Sequence, residues 1–114
     1  MNKKITFGLK LMLSDDDSAF FGPGSAELLR RIEKTGNVKE AASEMGLSYT
    51  KAWTIIRNAK RGIGADAVKS CKGGIGGGSA ALTEEGRRLL ESYLRFEEES
   101  KALLEESFRR CFDV

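Results

Sequence analysis

The stretch NVKEAASEMGLSYTKAWTIIRNAKRGIG, from Asn37 to Gly64, leaves this chain few options. Asn37 starts a helix, with Glu40 three residues on as its capping-box partner. Val38, Ala41, Ala42 and Met45 recur at helical spacing and face inward. Gly46 ends that helix after little more than two turns, and Ser48 caps another at once. Ala52, Ile55, Ile56 and Ala59 form the second helix's buried stripe, which Gly62 and Gly64 end. Ala42 sits where the two helices cross and only a small side chain fits. Gly46 sits in the turn, where φ must be positive. Leu47 completes the buried positions. That is the pattern of a helix-turn-helix that puts the N-terminus of its second helix into the major groove of DNA.

The exposed side of the second helix supports that reading. Its first turn carries Ser48, Tyr49, Thr50 and Lys51, followed by Thr54, Arg57 and Lys60. Hydroxyls and cations suit phosphate oxygens and base edges. Trp53 falls between the buried and exposed faces, so it either packs at the rim or touches DNA; rim packing is preferred. Charge is uneven. Ser48 to Gly78 holds six basic residues and one acid, net +5, whereas Glu84 to Val114 holds nine acids and six bases, net −3. A local basic block on a chain of formal charge +2 marks a polyanion-binding face, or else plain solvated surface.

Beyond that helix, Ala65 to Cys71 reads as a short strand and Ser79 to Leu82 as its partner. Between them lies KGGIGGGSA, in which five of the six residues from Gly73 to Gly78 are glycine. A helix-turn-helix followed by a hairpin is a winged helix. Glycines at Gly73, Gly74, Gly76 and Gly77 would let successive N–H groups reach a phosphate, with Lys69 and Lys72 flanking the tip. The bland alternative is a loop with no ligand. A P-loop is excluded, because no Lys-Ser or Lys-Thr follows the glycines. A dinucleotide fingerprint fails at Ser79 and lacks its βαβ frame.

The rest of the chain fills in a fold that is mainly α with a small β component. Ile5, Phe7, Leu9, Leu11 and Leu13 alternate with Thr6, Gly8, Lys10, Met12 and Ser14, as in a half-buried strand. Asp15 to Gly24 reads as a loop with a Pro23-Gly24 turn. Ser25 caps a helix to about Thr35 that buries Leu28, Leu29 and Ile32 and stops at Gly36. Thr83 caps a last helix of about 28 residues, roughly 42 Å long, which must project beyond its own core. Leu89, Tyr93, Phe96 and Leu103 make one apolar stripe on it, continued by Leu104, Phe108, Cys111 and Phe112. Such a stripe predicts a homodimer interface, with the N-terminal strand covering part of it. Residues 1–82 then form a winged helix-turn-helix unit and 83–114 a dimerisation helix of the same domain.

Several chemistries are excluded. The chain has no histidine, which removes Ser-His-Asp triads and histidine metal sites. Cys71 and Cys111 lie far apart and suit a reducing cytoplasm. No apolar run approaches a membrane span. Lys10 and the acids Asp15, Asp16 and Asp17 argue against reading the N-terminus as a signal peptide. Glu105 and Glu106 are a solvated helix face rather than a catalytic pair, so no enzyme, cofactor or metal is expected.

The residues LLRRIEKTGNVKEAASEMGLSYTKAWTIIRNA, and after a gap KGGIGGGSAALTEEGRRLL, resemble the N-terminal domain of the ModE family of molybdate-responsive transcription regulators. Those domains are related to the winged helix of LysR-type regulators. The resemblance covers roughly Ser25 to Leu94, with weaker continuation along the last helix; GLSYTKAW and the glycine wing leading into LTEEGRRLL carry it. It implies a dimer on a palindromic operator, contacted by the helix at Ser48 to Lys60 and the wing at Lys69 to Gly78. The family's C-terminal molybdate or tungstate domains have no counterpart in these residues, so oxyanion sensing is not carried over. The wing's first strand, ADAVKSC, departs from the family pattern. A regulator of transcription is the leading reading. The alternative is a winged helix used for protein–protein contact, pairing with a longer regulator.

Overall fold

Among the described residues, three of the four helices begin at a side chain that takes up an otherwise unpaired backbone N–H. Asn37 Oδ1 accepts from the Glu40 amide at 2.9 Å, Ser48 Oγ from Lys51 at 3.0 Å, and Thr83 Oγ1 from Gly86 at 2.9 Å. The computed structural model describes residues 4–16, 18–71 and 78–113. Its elements run β1 (Leu13–Ser14), β2 (Ala19–Phe21), α1 (Pro23–Thr35), α2 (Val38–Glu44), α3 (Tyr49–Ile63), β3 (Val68–Cys71), β4 (Ser79–Leu82) and α4 (Glu84–Phe112). The fold is therefore mainly helical with two small antiparallel sheets, β1–β2 and β3–β4.

The core is built where α1, α2, α3, the β3–β4 hairpin and the first half of α4 meet. Leu28, Leu29 and Ile32 of α1 share one buried cluster with Ala41 and Ala42 of α2, Ala52, Ile56 and Ala59 of α3, and Val68, Ala80 and Leu82 of the hairpin. Phe21, Leu90 and Tyr93 close it, with the Phe21 and Tyr93 rings edge to face at 5.1 Å. Each large side chain fully buried here contributes about 1.5–3 kcal/mol. The hairpin pairs Val68 with Leu82 and Cys71 with Ser79. Its base is anchored by Ala80 N–H to the Gly36 carbonyl at 2.8 Å and by Thr83 N–H to the Ala67 carbonyl at 3.0 Å. At Gly86 the start of α4 comes so close to the base of the hairpin that a Cβ would collide with the Ala67 backbone.

Several expectations from the sequence are corrected. Ile5 to Met12 form no sheet, although exposure alternates residue by residue along them. The segment packs on a helix instead of a strand. Phe7 lies 5.0 Å from Phe108 between ring centroids, and the Tyr93 hydroxyl donates to the Leu11 carbonyl at 2.8 Å. It therefore runs antiparallel to α4. The expected loop from Asp15 to Gly24 contains β2, whose Phe21 is buried. Pro23 does not make a turn there but opens α1 in the first turn, where its missing N–H would have had no partner within the helix. Ser25 lies inside α1 and accepts from the Gly22 amide at 3.1 Å. Gly62 is helical, and α3 ends only at Gly64, with φ of 73°. The first strand of the hairpin begins at Val68, not Ala65.

Candidate nucleic-acid interface

The turn between α2 and α3 is tight because three amides fold back onto α2. Met45 and Leu47 donate to the Ala42 carbonyl at 3.0 and 2.9 Å, and Gly46 donates to Ser43 at 3.1 Å. Gly46 takes φ of 71°, a conformation that costs a residue with a side chain roughly 1 kcal/mol or more. Ala41, Ala42 and Ala52 are completely buried at the crossing. α3 thus leaves the turn with its capped first turn pointing outward.

Ser48, Tyr49, Thr50 and Lys51 are all exposed there, Tyr49 by 53%. Further along, Thr54 Oγ1 donates to the Thr50 carbonyl at 3.1 Å and accepts from Arg57 Nη2 at 3.3 Å. The arginine is thereby held along the same face. Trp53 is half-buried against the core and meets the Tyr49 ring edge-on at 6.3 Å, so it packs at the rim. Lys60 is exposed and pairs with Asp66 at 3.1 Å, a bond whose worth at the surface is about 0–1 kcal/mol. Lys69, on β3, is exposed opposite Ala81.

The helix and the hairpin border one groove of about 440 Å³, into which Tyr49 and Trp53 face from α3 and Ser70 and Ser79 from the hairpin. Asn37 and Lys39 line it from α2. Lys39 was not singled out by the sequence; its position two residues after a helix cap was the available signal. Lys72, Gly73, Gly74, Gly76 and Gly77, the expected wing tip, lie outside the described residues. Among the described residues, Lys51, Arg57 and Lys69 form no ion pair with a carboxylate, whereas Arg61 is held by Asp15, Ser18 and Ala19.

The expected dimer residues divide. Tyr93 is 2% exposed and belongs to the core, and Leu89 is half-buried against it. Phe108 is half-buried beneath Phe7. Phe96, Leu103, Leu104 and Phe112 remain exposed, Leu103 by 71%.

No protein-family model matches the chain. Among curated proteins it is similar to the DNA-binding transcriptional dual regulator ModE of Escherichia coli K12, with 32% identity over 114 residues, which is 100% of this chain and 39% of that protein. The transcriptional regulator ModE of Yersinia pestis is 34% identical over 93 residues, 82% of this chain and 34% of the relative. The molybdenum-pterin-binding protein MopB of Rhodobacter capsulatus is 37% identical over 75 residues, 66% and 28% respectively. The chain spans about two fifths of the length of the first of these, 39%, and less of the others.

Proposed function

The chain is related over its whole length to the ModE transcription regulators, and from that premise we propose that it binds DNA as a dimeric regulator of transcription. The observation that carries the reading is the first turn of α3, where Ser48, Tyr49, Thr50 and Lys51 are exposed together beyond a tight helix-turn-helix. In this reading α3 enters the major groove with Tyr49, Thr50, Thr54 and Arg57 toward base edges. Lys51 and Lys60 meet phosphates, and the β3–β4 hairpin acts as a wing through Lys69, Lys72 and the glycines Gly73, Gly74, Gly76 and Gly77. Residues 83–114 pair two copies, presenting two α3 helices to half-sites about 34 Å apart on a palindromic operator. The protein works in the cytoplasm, where the DNA is.

The test is fluorescence anisotropy of the chain against its gene's own upstream duplex over a range of salt. Lys51, Lys60, Lys69 and Lys72 from two protomers would release on the order of 6–8 counterions, giving a slope of log K against log salt of roughly −5 to −7. A slope near zero on every duplex tried would remove the reading and leave the protein–protein module in its place.

A further inference from the structure

By sequence Arg61 belongs to the basic block, yet its guanidinium is engaged within the chain. Nη1 pairs with the Asp15 carboxylate, and Nη2 donates to Ser18 Oγ at 3.1 Å and to the Ala19 carbonyl at 3.2 Å. At the next residue the Phe20 ring occupies the space that a Cβ on Gly62 would need. Two consecutive residues in the last turn of α3 are therefore gripped by the β1–β2 hairpin. The chain leading into that hairpin is itself fixed to α4, through Leu11 on Tyr93 and Phe7 on Phe108. A strap thus links the far half of α4 to the C-terminal end of α3.

We infer that Arg61 is a positioning residue that sets the tilt of α3 through this strap and does not contact DNA. The inference rests on the DNA-binding reading above. A rigid fork holding three acceptors fixes direction in a way a solvated cation cannot. The lever is long: the 15 residues of α3 span about 22 Å. The grip is at one end, and the groups that face base edges are at the other. A tilt of about 5° around Arg61 would carry the Ser48 end about 2 Å, most of the length of a hydrogen bond. The strap also ends on the helix proposed to join the protomers, so it relates each α3 to the two-fold axis.

The test uses the full chain with Arg61→Ala and, separately, Asp15→Asn. Each is titrated against the upstream duplex and a random duplex at several salt concentrations. Amide hydrogen exchange in the last turn of α3 is measured without DNA. The inference expects both variants to lose about 10-fold in affinity for the upstream duplex, with the salt slope unchanged and faster exchange at residues 60–63. Asp15→Asn is the sharper case, since it makes the protein more positive and should still weaken binding. If Arg61 were a phosphate contact, Arg61→Ala would reduce the slope by about 1 per protomer. Asp15→Asn would then tighten binding, and either result overturns the inference. So does unchanged exchange in both variants. If the unaltered chain binds no duplex, the regulator reading falls, while the exchange data still decide whether Arg61 holds the end of α3.

Discussion

The hydroxyl of Tyr93 donates a 2.8 Å hydrogen bond to the carbonyl of Leu11, joining α4 to the N-terminal strap at the last core residue of the helix. The phenol's pKa is raised above its ordinary 10.0, first by burial and then by the charge of Glu97. The folded chain therefore holds this proton more tightly than the unfolded chain does. That contribution to stability is complete below about pH 10 and is lost as pH climbs past it. Tyr93→Phe removes the bond and the titration together. It should cost about 0.5–1.5 kcal/mol at neutral pH and flatten the alkaline fall in stability. Thermal melts between pH 8 and 11 would contradict this if both proteins lost the same amount.

Gly86→Ala tests the contact between α4 and Ala67, the residue just before β3. Helix propensity alone says alanine stabilises a helical position by about 1 kcal/mol. Here the added Cβ would meet the Ala67 backbone, which is tied to Thr83 and cannot step aside cheaply. The variant should instead be destabilised by about 1–3 kcal/mol. A denaturant midpoint at or above that of the unaltered chain would show that the hairpin yields.

Ser48 is read as having two roles, and two substitutions separate them. Ser48→Ala deletes the acceptor for the Lys51 amide and should cost about 1 kcal/mol, or a fall of about 4 °C in Tm. Ser48→Asp caps the helix about as well as serine but sets a negative charge against phosphate. It should melt like the unaltered chain and bind the upstream duplex at least about tenfold more weakly. If Ser48→Asp bound normally, the first turn of α3 would not face DNA.

Much of this architecture is legible in the sequence because caps and breakers act locally. Asn37, Gly46, Ser48, Gly64 and Thr83 mark ends that the structure keeps within a residue. What fails is whatever depends on partners distant in the chain. The alternation from Ile5 to Leu13 reports which side is wet, and a helix surface produces that pattern as well as a sheet does. Phe20 and Phe21 were a signal against a plain loop, since two adjacent aromatics there needed a burial site. Tyr93 and Leu103 share one helical periodicity, but the sequence does not say where the core beneath α4 ends. In the proposed interface, Arg61 is one cation among six until the fold brings Asp15 and Ser18 beside it. By contrast, the outward face of α3 was legible, because its buried stripe fixes the opposite side.

The last prediction concerns the far half of α4. Phe96 and Leu103 are 51% and 71% exposed and lie one heptad apart, so they fall on one stripe. The strap packs elsewhere on the helix, against Phe108 and beside Leu94, Glu97 and Lys101. A second copy could therefore cover Phe96 and Leu103 without displacing it. Each such side chain buried is worth about 1.5–3 kcal/mol, and a two-fold contact counts each twice. Phe96→Glu with Leu103→Glu should turn a dimer into a monomer while leaving the folded core untouched, because neither residue contributes to it. Sedimentation equilibrium at tens of micromolar reads the mass, and far-ultraviolet circular dichroism checks the helix content. A monomer before substitution would sink the pairing, and a dimer that survives both glutamates would move the interface to another surface.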